Sequence, residues 1–549
     1  MRAQQYVLPV KESAKEEDVL HPKYLVSLSP ESVDPDKPYY RGDAYEDKPS
    51  EVAEEWRRET KGQPYLEQIR RSTKAFPDLR HLANWMEVST TVSRYKYLSQ
   101  HKLERDERIH RVHVCQVDFK LGKAPDVRHL TSKVELFEAL VAQQPAPDAR
   151  VYVVEDLSRD MIELLGSTLD IDPHFFRAHV DDYMWNTQTG DAVDLKRLDM
   201  LRRKQSHFLV RYLRPRYYRD TASFERATKQ TGQFNVLRQL DSDRSRDSLQ
   251  DDVGAVATLM RAKASLWVRP NSTADQGALA VLLLDPTLTE GYPLWGGYSS
   301  FTNWKSHNLP KPPRTSLYDD VVYWMTGLDD TDVASMLKEP RMTVLPIFWI
   351  IASDWHQVVQ YVTTQLGQIE WEIEVPTLRK GLGVDATMQK LHPWRRNVTL
   401  YRGMVAQAIN CIFPQDVQRR AKQEDPDRGL AALYRDFQIV LEDMDRIQAR
   451  IERIVSVATA LQSIEESRRA IEQNNNVARL TYLATLFIPL TFVSGFLSMV
   501  PDVSELKRTF WIFFIIAIPL TVIALLAADF WHLRGKIGHI LARRKKKAD

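Results

Sequence analysis

An uncharged run near the C-terminal end of the chain carries side chains that could contact a cation. If this run is a helix, residues spaced three or four apart lie on one face of it. That face is a stripe that mixes amide, hydroxyl and small side chains with aliphatic ones. Its members are Asn474, Val477, Thr481, Ala484, Ile488, Thr491 and Gly495. The opposite face carries Leu483, Leu486, Leu490, Phe492 and Leu497. Amide and hydroxyl groups gain nothing from contact with lipid, so the stripe predicts either a helix-packing face or the lining of a water-filled path.

The sequence carries no comparable signal for catalysis. The chain has no glycine-rich phosphate loop, no HExxH pair and no serine or cysteine nucleophile in a recognisable setting. The two cysteines, Cys115 and Cys411, lack the spacing of a zinc site or a disulfide framework. A net charge of +2 gives no sign of a nucleic-acid partner. We therefore predict a protein that is not an enzyme and holds no resident cofactor.

A second group of metal-ligand residue types occurs at 170–179, with Asp170, Asp172, His174 and His179. The two histidines are five residues apart and would not share one face of a helix. An aspartate before a proline commonly starts a helix, and the following phenylalanines would pack inward. The pattern favours a helix start over a metal site.

Two uncharged runs predict a pair of transmembrane helices, at 480–500 and 509–533. The first holds 21 residues without a charge, and Thr509 to Ala528 holds 20. At about 1.5 Å per residue each run spans about 30 Å, which is the thickness of the hydrocarbon layer. An eight-residue loop, 501–508, joins them. The two helices must therefore form a tight hairpin in the lipid bilayer, with both outer ends on one side.

The segment after the second span, 534–549, indicates which side that is. It holds seven Lys or Arg residues and one acid, the excess that marks the cytoplasmic side of a membrane. We expect a multi-pass protein with both termini cytosolic and the short loop outside. The final Lys-Lys-Ala-Asp also fits a dilysine retrieval signal, so the predicted location is the plasma membrane or the endoplasmic reticulum.

A long helix is predicted to lead into the first span, with its stalk at 430–479. No Pro or Gly interrupts Leu430 to Asn476. Apolar residues recur there in a coiled-coil-like seam: Phe437, Val440, Met444, Ile447, Ile451, Ile454, Ala458 and Leu461. The seam needs partners, either stalk helices of other subunits or helices of its own domain.

The remainder of the chain is predicted to fold as a cytosolic α+β domain. Residues 1–105 are polar and partly disordered, 106–300 form an α/β domain, and 301–429 form a helical section. Strands are predicted at 111–119, 150–157, 206–213, 264–269 and 278–285, the last two as a hairpin. Ser158 is a candidate N-cap, 344–374 reads as a buried helix, and 396–412 reads as another helix.

The sequence RLTYLATLFIPLTFVSGF at 479–496 resembles the first transmembrane helix of the CorA magnesium-transporter superfamily. The run DIDPHFFRAH at 170–179 resembles fungal CorA-like members. The resemblance implies a homopentameric funnel in which the first span of each subunit surrounds a pore. By this resemblance Asn474 forms a ring at the cytosolic mouth, Val477, Leu480 and Ile488 form a hydrophobic constriction, and Thr491 and Gly495 lie beyond it.

The chain departs from the family at the end of that helix. Where the family has Gly-Met-Asn, this sequence has Ser498, Met499 and Val500. A valine ring offers no oxygen to a hydrated cation, although Ser498 could supply a hydroxyl one step deeper. The outer loop carries Asp502 and Glu505, but Lys507 and Arg508 offset them.

The resemblance implies transport of divalent cations, with Mg²⁺ as the first expectation. The alternatives are another divalent ion and a non-conducting membrane protein with an interaction or scaffold role. Acidic residues on the stalk, Glu442, Asp443 and Asp445, could bind a regulatory divalent ion between subunits, as CorA-like cytosolic domains do. The other interpretation of that group is a solvated helix face.

Overall fold

A computed structural model describes most of the chain and divides it into two compact units. It describes residues 62–73, 75–76, 78–88, 102–142, 147–180, 198–202, 205–231, 233–236, 240–242, 254–269, 277–301, 311–374, 384–423, 429–498 and 510–526. The first unit is Met1–Gly381 with Ala386–Arg453, and the second is Leu382–Asp385 with Ile454–Asp549. The predicted polar region 1–105 therefore lies largely outside the described residues.

A mixed sheet forms the centre of the first unit. Its strands are β1 Val114–Lys120, β2 Lys123–Leu130, β3 Ala149–Glu155, β4 His207–Tyr218, β5 Leu240–Ser242, β6 Val256–Val268, β7 Ala278–Leu284 and β8 Tyr292–Pro293. Their order is β2-β1-β3-β7-β6-β4-β8, with β5 also paired to β6. Only β3 and β7 pair in parallel among the described strands, and the others pair antiparallel.

The predicted hairpin is confirmed, since β6 and β7 pair antiparallel with Ala264 opposite Leu284. Two strands are longer than the sequence predicted: β4 runs on to Tyr218 and β6 begins at Val256. Strand β2 was not predicted. It forms one edge of the sheet and carries Lys123, Pro125, Asp126 and Arg128.

Helices pack over the sheet and close its core. In this part of the chain they are α1 Pro64–Ser72, α2 Leu79–Val88, α3 Lys102–His110, α4 Lys133–Val141, α5 Arg159–Leu169, α6 Pro173–Val180, α7 Asp199–Arg202 and α8 Thr221–Thr231. As predicted, Ser158 caps α5, and its side chain accepts a hydrogen bond from the backbone N–H of Met161. Trp85 of α2 and Phe176 of α6 are buried in the same apolar cluster. The apolar faces of these short helices are thus held by tertiary packing.

A close contact between two helices explains why residue 166 is a glycine. Tyr65 of α1 lies against Gly166 of α5, where an added Cβ would stand 2.3 Å from the tyrosine ring. The Tyr65 hydroxyl donates to the carbonyl of Ile171, and the backbone N–H groups of Tyr65 and Leu66 donate to the carboxylate of Glu163. A buried carboxylate therefore satisfies the first turn of α1, whose N–H groups have no partner within the helix.

The metal-type residues at 170–179 form a helix start, as predicted. Helix α6 begins at Pro173, and Asp172 Oδ1 accepts from the backbone N–H of His174 at 2.9 Å. His174 Nδ1 lies 2.7 Å from the same oxygen. His179 is instead buried against the hydroxyl of Ser265, at 2.9 Å from Nδ1. The two histidines thus have separate structural partners.

The rest of the first unit is helical. It comprises α9 Leu317–Thr326, α10 Asp330–Lys338, a short 3₁₀ turn at Pro340–Val344, α11 Leu345–Glu374, α12 Val384–Ile412 and α13 Gln415–Gln423. Helix α11 begins one residue after its predicted start at 344, ends at Glu374 as predicted and is buried along much of its length. Helix α12 begins twelve residues before its predicted start at 396 and continues through Pro393.

The predicted stalk and first span form one continuous helix, α14 Gly429–Leu497, which contains Pro489. In the first unit, the apolar seam is buried at Phe437, Val440, Met444, Ile447 and Ile451. The ring of Phe437 packs against Phe413 with centroids 5.5 Å apart. The partners of this part of the seam therefore belong to the same chain, which settles the choice that the sequence left open.

In the second unit, α14 continues to Leu497 and a further apolar helix, α15, covers Phe510–Leu526. Among the described residues, α14 is the one helix long and apolar enough to cross a membrane, while α15 is shorter. The rest of the predicted second span, 527–533, lies outside the described residues.

Candidate functional site

The stripe predicted from the sequence lies on the exposed side of α14 in the second unit. We use "the stripe" for Asn474, Val477, Leu480, Thr481, Ala484, Ile488, Thr491 and Gly495. All eight are exposed in the single chain, and the aliphatic members Val477, Leu480 and Ile488 are 58%, 65% and 66% exposed. Large apolar side chains at that exposure have little cover from the described part of the chain.

The other side of the same helix segment is partly covered, although Leu483 and Phe492, which the sequence assigned to it, are 50% and 68% exposed. Thr485, Leu486, Pro489 and Leu497 are half-buried there, and Val493 is only 5% exposed. Helix α15 likewise has a covered face, with two small residues, Ala517 and Thr521, at its centre. Small side chains at covered positions are typical of closely packed membrane helices. The packing face of α14 and the stripe are thus separate faces of the helix.

The threonine hydroxyls of the stripe donate to their own helix. Thr481 Oγ1 donates to the carbonyl of Val477 at 2.9 Å, and Thr491 Oγ1 donates to the carbonyl of Phe487 at 2.8 Å. A hydroxyl has one donor and two acceptor lone pairs. Because the proton is used within the helix, each oxygen keeps its acceptor capacity for water or a cation.

The residues that stand where the family has Gly-Met-Asn are only partly described. Ser498 is exposed, and its backbone N–H donates to the carbonyl of Ser494 at 3.0 Å. Met499, Val500, Asp502 and Glu505 lie outside the described residues.

The acidic group on the stalk part of α14 is paired with arginines. Asp443 Oδ1 lies 2.9 Å from Arg446, whose guanidinium is also 3.6 Å from Glu442. Asp445 forms an ion pair with Arg402 of α12. Within the described ranges, no group of three or more His, Cys, Asp or Glu side chains could hold a metal ion.

A buried ionic group that the sequence reasoning missed lies in the first unit. Asp354 of α11 is 3% exposed, and its Oδ2 stands 3.3 Å from Nε of Arg214 on β4. Burial raises the pKa of the Asp354 carboxyl to about 6, against the opposing effect of Arg214. The only sequence signal for this pair is one aspartate inside a strongly apolar segment.

Comparison with known families identifies the C-terminal part of the chain. A family model described as "CorA-like Mg2+ transporter protein" matches residues 330–534. The matched segment contains α10 to α15, and therefore the buried seam, the stripe and both apolar helices. No curated protein matches the chain significantly.

Proposed function

We propose, from the premise that this chain belongs to the CorA-like superfamily through residues 330–534, that it is the subunit of a membrane transporter for divalent cations. The observation that carries the proposal is the exposure of the stripe. Its eight members are exposed in the described part of the chain, whereas Val493 on another face of the same helix is buried. A stripe that mixes exposed amide and hydroxyl groups with aliphatic side chains suits a path that water and ions share.

The stripe divides into a polar entrance, an apolar section and a second polar section. Asn474 would form the amide ring at the cytosolic mouth. Val477, Leu480 and Ile488 would form the constriction, where an apolar ring closes a pore by excluding water. The oxygen of Thr491 would then contact the hydration shell of the ion beyond the constriction.

We further propose that five copies surround the pore and that Mg²⁺ is the transported ion. The pentamer comes from the resemblance, and Mg²⁺ comes from the description of the matched family. The protein would have both termini in the cytosol and reside in the plasma membrane or the endoplasmic reticulum. Since Glu442, Asp443 and Asp445 form no metal site within one copy, a regulatory ion there would have to be shared between subunits and compete with Arg446 and Arg402 for these carboxylates.

The second candidate function is a non-conducting membrane protein with an interaction or scaffold role. It is favoured by Val500, which stands where the family has the asparagine of Gly-Met-Asn. Mg²⁺ holds its water tightly and is bound through oxygen ligands, so the loss of an amide ring removes a site for the hydrated ion. A different divalent ion that sheds water more readily is a third possibility on the same observation.

Ion flux into liposomes tests these candidates. Purified protein would be reconstituted, and the uptake of Mg²⁺, Mn²⁺, Ni²⁺ and Zn²⁺ would be compared for the natural chain and for Asn474→Leu. A matched control is Asn476→Leu, which changes another exposed amide that lies two residues on and points to another side of the helix. We expect Asn474→Leu to abolish or alter the flux and Asn476→Leu to leave it unchanged.

Two other outcomes would change the conclusion. Absence of flux for every ion, from folded protein in the pentameric state, would support the scaffold role. Equal loss of flux in both asparagine variants would show that the stripe does not line the path.

A further inference from the structure

The buried pair of Asp354 and Arg214 joins two elements of the first unit that are far apart in the sequence. Arg214 lies on β4 and Asp354 lies near the middle of α11. Their side chains are 12% and 4% exposed, and Nε stands 3.3 Å from Oδ2. That oxygen has no aligned hydrogen-bond donor among the described residues. The attraction of this oxygen to Arg214 is therefore mainly electrostatic, in a site that is almost fully buried.

The charges around Asp354 come from three further places. Asp320 of α9, 3% exposed, accepts from the backbone N–H of Arg314 at 2.8 Å. The guanidinium of Arg314 lies 4.0 Å from the ring centre of Tyr298, whose hydroxyl accepts from Trp324 Nε1 at 2.7 Å. Arg214 and Arg314 favour the ionised form of Asp354, and Asp320 opposes it. On α11 itself, His356 is exposed two residues further on.

The balance of these groups places the ionisation of Asp354 close to neutral pH. Burial is the largest cause and raises its pKa to about 6. Burial also raises the pKa of Asp320. Two carboxyl groups in one buried site ionise together only at a cost, because each raises the proton affinity of the other.

Helix α11 also contacts the stalk part of α14. Arg450 of α14 donates through Nε to Glu370 of α11 at 2.9 Å and through Nη1 to the carbonyl of Thr363 at 3.3 Å. Helix α11 therefore links β4, through Asp354, to the stalk, through Glu370. A change in the charge of Asp354 acts on a helix that is attached at both places.

We propose that the Arg214–Asp354 pair is a proton-responsive joint between the sheet and the helix that supports the stalk. With Asp354 protonated, the buried site holds a neutral group and α11 packs firmly on β4. With Asp354 ionised, a charge is buried with its nearest cation 3.3 Å away, and the contact between α11 and β4 is loosened. The inference does not depend on what the membrane helices conduct, and its failure would leave the transport proposal untouched.

A pH titration of the full-length protein in detergent tests the joint. Tryptophan fluorescence is a suitable probe because Trp355, fully buried, follows Asp354 directly. We expect a reversible transition with a midpoint near pH 6 between about pH 8 and about pH 5. Hydrogen exchange, corrected for intrinsic rates, should report higher protection in β4 and α11 at the acid end.

Three variants give the controls. Asp354→Asn should abolish the transition. His356→Gln should keep it, since this histidine is exposed to solvent two residues from Asp354. Arg214→Gln should move the midpoint to higher pH, because the carboxylate loses its nearest cation, and it offers a second test if Asp354→Asn does not fold. A transition that survives Asp354→Asn, that disappears in His356→Gln, or that is absent from the natural chain would overturn the proposal.

Discussion

The two parts of helix α14 use apolar side chains in opposite ways. In the first unit, Phe437, Val440 and Met444 are fully buried against their own chain. In the second unit, Val477, Leu480 and Ile488 are more than half exposed. The first set stabilises the fold of one copy, whereas the second set contributes little to it. The comparison separates the residues that stabilise the fold of a single chain from those whose apolar surface is covered only by lipid or by another subunit.

The largest effect that sharpens this comparison is expected from Phe437→Ala. Removal of this fully buried ring should lower the free energy of unfolding by about 3 to 5 kcal/mol, because a cavity replaces its contact with Phe413. Chemical denaturation in detergent would measure the loss. Ile439→Ala is the matched control, since Ile439 lies two residues away, is 48% exposed and should cost less than about 1 kcal/mol.

The pH dependence of stability gives the next effect. The pKa of Asp354 is about 6 in the folded chain, above its ordinary value of 3.8, so the folded state binds this proton more tightly than the unfolded state. The resulting stability is present at low pH and is lost as the pH rises from about 4 through about 6, by at most about 3 kcal/mol. Denaturation at several pH values should show this slope in the natural chain and a flatter one in Asp354→Asn.

An exposed carboxyl group serves as the control for the buried carboxyl of Asp354. Asp445→Asn changes a side chain that is 51% exposed, and it should leave the slope as it is. If both variants flatten the slope equally, surface carboxyl groups and not the buried one determine the pH dependence.

An effect on transport with no effect on folding is expected from Thr491→Val. The substitution keeps the shape and removes one hydroxyl oxygen from each subunit at an exposed position of the stripe. A lost hydrogen bond of about 1 kcal/mol corresponds to a flux lower by about fivefold to tenfold. Thr485→Val is the control, because its hydroxyl makes the same bond to its own helix, at 2.8 Å to the Thr481 carbonyl, from the covered face. A larger loss of flux in Thr485→Val than in Thr491→Val would contradict the proposal that the stripe lines the ion path.

The smallest effect concerns the ion pairs on the surface of the stalk. Arg402 and Asp445 are 43% and 51% exposed, so solvent screens their attraction. A double-mutant cycle with both alanine variants should give a coupling of about 0.2 to 1 kcal/mol that falls with added salt. A coupling several times larger would mean that this pair, and not the buried seam alone, holds the stalk to α12.

The sequence predicted the elements whose periodicity is undisturbed. Helix α11 begins and ends where its apolar pattern does, and α14 extends from Gly429 to Leu497 because no break interrupts the pattern before the membrane run. The predicted start of α12 at 396 was wrong, because the helix begins at Val384 and contains Pro393 within its length.

Buried cations explain the strands that were predicted too short. Arg261 and Lys263 interrupt the apolar pattern of β6, although both are buried, and Arg216 does the same in β4. When every charged residue is assumed to be exposed, the predicted strand ends at such a residue. The ion pair of Asp354 was not predicted either. Its partner Arg214 lies 140 residues earlier in the sequence, and only the fold brings the two side chains together.

The edge strand β2 has a consequence for crowding at a membrane surface. An open strand edge invites the strand of another copy, and many copies held near one bilayer would favour such sheet-to-sheet growth. Lys123, Asp126 and Arg128 place charges along this edge, and Pro125 removes a backbone donor from it. Growth of fibrils through this edge is therefore disfavoured, even where many copies are concentrated side by side.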